Sequence, residues 1–283
     1  MKQVLAKIIS PSRGMSKGEL ILAQAPFALL PLQVLLLFAE RRLLWGVDNL
    51  FYRFGHADDF LSNAILRLYY APELSGWILI VHILCCVLAL LSGPLAMLPR
   101  MGAWLTALML YAAAPTAYCG YMPLLLAMSF ASIGLCLHTP FFERIHVRYW
   151  LHILMRAQSV LFAFAFACFA WGTEQWLQGQ TFYYAIHQDA MIRPWVLQQQ
   201  EILGSMSAGF TYTLMVFATL FPLLMMIRSM RIKGIYVGAG IVIAHALLFN
   251  HVMNSLTLAL LLLPWGIDLP RSKQQVSREL EER

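Results

Sequence analysis

The chain alternates long apolar runs with short polar connections. A first run extends from Leu20 to Ala39, and further runs cover residues 76–98, 102–117, 121–139, 149–170, 209–228, 234–249 and 253–267. A spanning helix needs about 20 apolar residues, which the last two runs do not reach. The pattern predicts an all-α polytopic membrane helix bundle with about eight transmembrane helices, the last two of which either cross a thinned region or form a hairpin that does not fully cross.

Residues 40–75 are mixed, with apolar residues three or four apart among charged ones. That period predicts an amphipathic helix lying in the membrane interface. His56, Asp58 and Asp59 fit a solvated helix start better than a metal site, because no fourth ligand lies near them in the sequence. We therefore divide the chain into a basic N-terminus (1–18), a membrane domain (19–269) and a polar tail (270–283).

The composition and the charge distribution support a membrane protein. Hydrophobic residues make up 60% of the 283 residues and charged residues 12%, against roughly 25% charged in soluble domains. The net charge of +6 comes from short basic clusters between the runs, so it indicates topology rather than nucleic-acid binding. With eight spans, 14 Lys and Arg residues fall on one side and 5 on the other, which predicts that both termini are cytoplasmic.

The connection after the first run argues against a cleaved leader. The run is long, and Glu40, Arg41 and Arg42 follow it instead of a small-residue cleavage site, so we expect an uncleaved first membrane helix. The five cysteines contain no C-x-x-C pair and predict neither a disulfide framework nor a redox motif.

Ionisable residues inside apolar runs are candidate functional residues, since burying them in lipid is costly. His152, Arg156 and Ser159 share one helical face, which we expect to point into the bundle. His82 and His138 fit hydrogen-bonded core positions. His245, His251 and Asn254 lie within ten residues at a predicted hairpin and resemble the lining of a cavity, but they have no Cys or carboxylate at zinc-ligand spacing.

A polar and aromatic segment, WGTEQWLQGQTFYY, interrupts the apolar pattern at residues 171–184. It contains Glu174, Trp176, Gly179 and Tyr183. One interpretation is an aromatic belt at the headgroup level, which membrane proteins form whatever their function. The other is a functional cleft at the membrane boundary, on the outer side of the predicted topology.

Four segments together carry a family resemblance. They are LALLSGPLAMLPRMGAWLTAL (88–108), WLQGQTFYY (176–184), the Arg193-Pro194 pair and HALLFNHVMNS (245–255). Their order resembles the horizontally transferred transmembrane (HTTM) domain, the membrane part of vitamin K-dependent gamma-glutamyl carboxylase, which also occurs in many bacterial proteins. The resemblance implies a multi-pass protein of a bacterial inner membrane. Trp176 and Gly179 match the W-x-x-G turn of the family, and His245 matches the histidine that opens its late motif.

One departure from the family changes the expected function. In the carboxylases, a lysine taken as the catalytic base precedes the W-x-x-G turn, whereas no Lys lies between Lys17 and Lys233 here. We therefore expect no vitamin K-dependent carboxylase activity. Two hypotheses remain. The first is an accessory or maturation protein that acts with a secreted peptide, or with a membrane or redox partner protein, and needs no cofactor. The second is a quinone- or lipid-binding membrane enzyme that uses His245 or Glu174 as acid or base. A transporter is a third, disfavoured because no inverted repeat is visible.

Both hypotheses use the same predicted cleft. Trp176, Gly179 and Tyr183 are expected to close an outward-facing pocket with His245, His251 and Asn254 on its floor. Arg156 and Glu174 complete the predicted set. Gly179 is expected to adopt a positive φ in its turn, a conformation that penalises any residue with a Cβ.

Overall fold

The computed structural model describes residues 16–36, 72–91, 96–113, 122–135, 144–187, 192–250 and 252–267. Within these ranges the chain is helical, and its β-structure is an isolated antiparallel bridge between Ile192 and Phe249. Residues 40–71 of the predicted interfacial helix (40–75), among them His56, Asp58 and Asp59, lie outside the described ranges. His138 and His251 also lie outside them.

Each predicted apolar run contains a helix. These are α1 (Lys17–Leu36), α2 (Pro72–Ala89), α3 (Met97–Ala113), α4 (Met122–Leu135), α5 (Arg144–Gly172), α10 (Ser207–Met226), α11 (Arg231–Leu248) and α12 (Val252–Leu262). Four short helices, α6 (Glu174–Leu177), α7 (Thr181–Ile186), α8 (Pro194–Leu197) and α9 (Gln200–Ser205), lie between α5 and α10. Single 3-10 turns precede α11 (Arg228–Met230) and follow α12 (Leu263–Trp265).

Among the described residues, four helical segments are long and apolar enough to cross a membrane: Lys17–Leu36, Val147–Gly172, Ser207–Met226 and Arg228–Leu248. Gly76–Ala89, Met122–Leu135 and Val252–Trp265 are shorter apolar helices. Large apolar side chains such as Trp77, Leu161 and Tyr236 are more than 60% exposed on these helices. Lipid would cover such surfaces favourably, so the structure is compatible with a multi-pass membrane protein.

Helix α1 begins three residues before the predicted apolar run because its N-terminus has a capping box. The Ser16 backbone N–H donates to Glu19 Oε2 at 2.8 Å, and the Glu19 N–H donates to Ser16 Oγ at 3.2 Å. This reciprocal pair satisfies two N–H groups that a helix start leaves unpaired. The S-x-x-E pattern was therefore the signal for the true start.

The chain divides into two compact units, residues 1–151 with 269–283, and residues 152–268. In the first unit, α1 packs against α2 and α4, and α3 packs against α2 and α4. His82 is fully buried and its Nδ1 lies 2.8 Å from Thr106 Oγ1, so its interpretation as a hydrogen-bonded core residue is confirmed.

Arg100 corrects one sequence interpretation in this unit. We expected Pro99 and Arg100 to form a connection before a helix starting near residue 102, but α3 begins at Met97 and includes both. The Arg100 side chain is 0% exposed and donates from Nε to Ala89 O at 2.9 Å and from Nη2 to Leu91 O at 3.2 Å. Arg100 therefore caps carbonyl groups at the end of α2 instead of lying in a solvated loop.

In the second unit, α11 packs against both α10 and α12. Buried Gly234 and Gly238 allow these close approaches, since a Cβ would come within 2.7 Å of Met225 Sδ at Gly234 and of Leu262 Cδ2 at Gly238. At Gly240, in contrast, no atom lies within 4 Å of the Cβ position. The small-residue contact therefore ends at Gly238.

Candidate functional site

The W-x-x-G segment folds into helix α6 and a tight turn. Trp176 is 8% exposed and packs with Ala170 and Met215, and its ring meets Phe166 edge-on at 5.4 Å between centroids. Its side chain therefore anchors the segment to α5 and α10. Glu174 is exposed and accepts a hydrogen bond from Gln178 Nε2 at 2.7 Å.

Gly179 has a φ of +71°, as predicted from the sequence, and it is the residue with positive φ in the described part of the chain. A Cβ at this position would lie 2.9 Å from Ala208 Cβ and 3.1 Å from Ala208 Cα. The turn therefore needs glycine for two reasons: the left-handed backbone conformation and the close approach of α10.

Thr211 on α10 forms hydrogen bonds with residues at the Gly179 turn and after it. Its hydroxyl accepts a hydrogen bond from the Phe182 N–H at 3.1 Å and donates to Gly179 O at 3.2 Å, and the residue is 1% exposed. One turn of helix away from the glycine contact, the Tyr212 hydroxyl donates to Leu177 O at 2.8 Å. Both residues were absent from the sequence hypothesis, because nothing local marks a threonine in an apolar helix as a partner of a distant turn.

Helix α7 has a buried and an exposed face. Phe182 and Ile186 are buried with Ile192 and Val196, and Leu248 and Phe249 pack against this cluster. Tyr183 lies on the exposed face, is 44% exposed, and stacks on the His187 ring at 4.2 Å between centroids. The apolar cluster thus joins α7 to the end of α11.

A clasp formed by Arg193 and Trp195 closes the C-terminal end of α11. Arg193 donates its backbone N–H to Leu248 O at 3.1 Å and its Nε to Ala246 O at 3.2 Å, and Trp195 Nε1 donates to Leu247 O at 3.0 Å. The last carbonyls of a helix have no partner inside it, so these three bonds satisfy groups that would otherwise face lipid or water. The Arg193-Pro194 pair signalled this segment, but the clasp itself could not be predicted.

His245 and Ser255 form a polar pair between α11 and α12. His245 Nδ1 lies 2.8 Å from Ser255 Oγ, and the imidazole stacks on Phe249 at 5.0 Å between centroids. Ser255 is 4% exposed. Next to it, Asn254 Oδ1 is buried and has no hydrogen-bond partner among the described residues. A ligand that donates a hydrogen bond would satisfy this oxygen.

Arg156 lies in a different part of the unit. His152, Arg156 and Ser159 are all buried, so the prediction that this face of α5 points inward is confirmed. Arg156 donates from Nε to Pro264 O at 2.9 Å and from Nη2 to Ile267 O at 2.5 Å. At 1.5 Å per residue, about 24 Å of helix separates Arg156 from Gly172, beside which the W-x-x-G turn begins.

The predicted site residues therefore fall into three groups in the described structure. Trp176 and Gly179 hold their turn against α10, His245 and Asn254 lie at the α11–α12 connection, and Arg156 contacts the turn after α12. Tyr183 and Glu174 are exposed. The Phe182–Val196 cluster lies between the turn and the end of α11, and a shared pocket remains a prediction.

Comparison with known proteins adds no assignment: no family model, curated protein or solved structure matches this chain.

Proposed function

We propose that the chain is an HTTM-type accessory or maturation protein of a bacterial inner membrane, with eight spans and both termini in the cytoplasm. In this proposal the segment Glu174–Ser205, here named the cap, faces outward and receives a secreted peptide or a membrane partner. The four short helices of the cap would form the recognition surface.

One observation carries the proposal: the cap is firmly attached on its inner face and presents large aromatic and aliphatic side chains on its exposed face. Its attachments are the Gly179 turn on α10 and the clasp on the end of α11. The exposed large side chains include Leu177, Tyr183, Tyr184, Trp195 and Ile202, each at least 44% exposed. Tyr and Trp provide large contact areas at low entropic cost, and a fixed backbone lowers the ordering cost of binding.

The polar side chains of the cap favour a protein partner over lipid alone. Glu174, Gln178, Gln180 and Glu201 are exposed among the aromatic residues. Mixed aromatic and polar surfaces are typical of protein interfaces, where hydrogen bonds surround a central apolar contact. A belt that contacted only lipid would gain nothing from the exposed carboxylates of Glu174 and Glu201.

Co-purification tests this function. The tagged protein and a Y183A/Y184A variant would be purified from native membranes, and their partners would be quantified by mass spectrometry. We expect a secreted peptide or membrane protein that is enriched with the wild type and depleted at least about tenfold with the variant, since truncation of a hot-spot tyrosine at an interface costs about 2 kcal/mol or more. Equal recovery of all partners with both proteins would exclude the cap as the docking surface.

A matched control separates binding from folding. Tyr236 on α11 is also an exposed tyrosine but lies outside the cap. Y236A should therefore keep the partner that the double variant loses.

The second candidate function is a quinone- or lipid-binding enzyme. The His245–Ser255 hydrogen bond and the unpartnered Asn254 Oδ1 favour it, because together they offer an acceptor for a ligand hydroxyl and a group that can exchange a proton. A tritiated quinone photoprobe that labels α11 or α12 in the wild type but not in N254L would support this function. Equal labelling of both proteins would exclude it.

A further inference from the structure

Two arginines and a tryptophan form a cluster at the other end of α11 from His245. The Cζ atoms of Arg156 and Arg231 lie 5.2 and 5.3 Å from the centroid of the Trp265 ring. Because both distances are measured to the same ring, the two positive charges are separated by no more than their sum. By helix geometry, about 21 Å of α11 separates Arg231 from His245, so this cluster is distinct from the His245–Ser255 pair.

The protein holds this cluster in a fixed geometry. Trp265 Nε1 donates to Ser159 Oγ at 2.7 Å, and Ser159 Oγ donates to Arg156 O at 2.7 Å. Arg156 is 7% exposed and donates to the two carbonyls that flank Trp265. The Trp265 ring and the Arg156 guanidinium are therefore held in position before any ligand binds.

Arg231 is the member that is available to a ligand. It is partly exposed, its buried Nε has no hydrogen-bond partner in the described structure, and its contact there is the face of the Trp265 ring. It is also the first residue of α11, an 18-residue helix whose N-terminus has no side-chain cap. Backbone N–H groups and the helix dipole at such a terminus favour an anion.

The charges around the cluster are one-sided. Arg228 and Lys233 flank Arg231 in the sequence, and both are exposed. The carboxylates of the described residues in this unit, Glu174 and Glu201, belong to the cap. Asp268 follows Ile267 in the sequence and lies outside the described residues, so it is included in the test below.

We propose that Arg231, supported by Trp265 and Arg156, binds a phosphate group at the start of α11. Guanidinium groups bind phosphate through paired charge-assisted hydrogen bonds, and an aromatic face holds a guanidinium in place without occupying its N–H groups. The phosphate belongs either to the headgroup of an anionic lipid or to a free phosphate. This site does not depend on the proposed function of the cap.

Binding measurements on the full-length protein distinguish these sources. Native mass spectrometry in detergent would compare phosphatidylglycerol with phosphatidylcholine, and thermal unfolding would compare inorganic phosphate with chloride at equal ionic strength. Preference for phosphatidylglycerol identifies a lipid headgroup, and stabilisation by inorganic phosphate identifies a free phosphate.

The variants R231Q and R228Q test the site. R231Q is expected to weaken phosphate binding at least about tenfold, the loss of a hydrogen bond to a charged group, while R228Q removes the same charge from the neighbouring turn and should bind within about twofold of the wild type. If R231Q unfolds, R231K keeps the charge without the paired donors and should also bind more weakly than R228Q.

Three results would overturn the proposal. One is equal binding by R231Q and the wild type. Another is an equal loss in R231Q and R228Q, which would show a diffuse surface charge. The third is phosphate binding by D268N that is much tighter than that of the wild type, which would show that the Asp268 carboxylate rather than a phosphate pairs with the cluster.

Discussion

Substitution of Gly179 by alanine gives the most quantitative test of how the cap is attached. A left-handed conformation costs a non-glycine residue about 1–2 kcal/mol. The new Cβ would meet Ala208 Cβ at 2.9 Å and Ala208 Cα at 3.1 Å, and the second contact is with backbone, which cannot rotate away. Overpacking of this kind costs about 1–3 kcal/mol. Reduced freedom of the unfolded chain offsets about 0.4–1 kcal/mol of these costs.

The midpoints of these ranges give a net destabilisation for G179A of about 3 kcal/mol, within outer limits of about 1–4.6 kcal/mol. At roughly 2–4 °C for each kcal/mol, the midpoint value should lower the melting temperature of the purified protein in detergent by about 6–12 °C. Gly209 provides the matched control, because it lies in α10 with no atom within 4 Å of its Cβ position. G209A should be as stable as the wild type or more stable, since alanine favours a helix interior.

The assay is loss of monodisperse protein in fluorescence-detected gel filtration after heating. If G179A and G209A melt within about 2 °C of each other, a difference that corresponds to about 0.5–1 kcal/mol, the close approach of the Gly179 turn to α10 is wrong. The attachment of the cap would then lose its main support.

Three further predictions follow from the topology, from the missing lysine before the W-x-x-G turn and from the His245–Ser255 pair. Alkaline phosphatase fused after Gln178 should be active and fused after Arg231 inactive, because the 14 to 5 charge split places these positions on opposite sides; the reverse pattern would reject the orientation. The purified protein should incorporate no carbon dioxide into glutamate peptides with reduced vitamin K, and incorporation above an empty-membrane control would reveal another base. H245L should abolish function while leaving membrane levels nearly unchanged, with S255A as its comparison; degradation of H245L alone would instead assign the histidine a structural role.

The helices and turns of the chain could be predicted from the sequence where the physical constraint is local. Apolar runs became helices because only internally hydrogen-bonded segments are tolerated in lipid. Gly179 was predictable because a turn between two short helical segments demands a conformation that glycine adopts freely. The Ser16–Glu19 box was equally local, and its pattern would have given the start of α1.

Contacts between distant segments could not be predicted from local sequence patterns. Arg100 was assigned to a connection because it lies between two apolar runs, yet its guanidinium donates to carbonyls at the end of α2 and just after it. The pairing of Arg193 with the end of α11 joins residues more than 50 positions apart. The number of membrane spans also stays a prediction, since four helices in the described ranges have both the length and the hydropathy of a span and the other apolar helices there are shorter.

The partner surface of the cap can be tested directly by site-specific photo-crosslinking in native membranes. A photoreactive amino acid would be placed at Tyr184, which is 49% exposed, and at Trp176, which is buried, as the control. We expect a discrete protein or peptide adduct from position 184 that is absent from position 176. Adducts to lipid alone at position 184 would contradict it and would identify the aromatic residues as an interfacial belt.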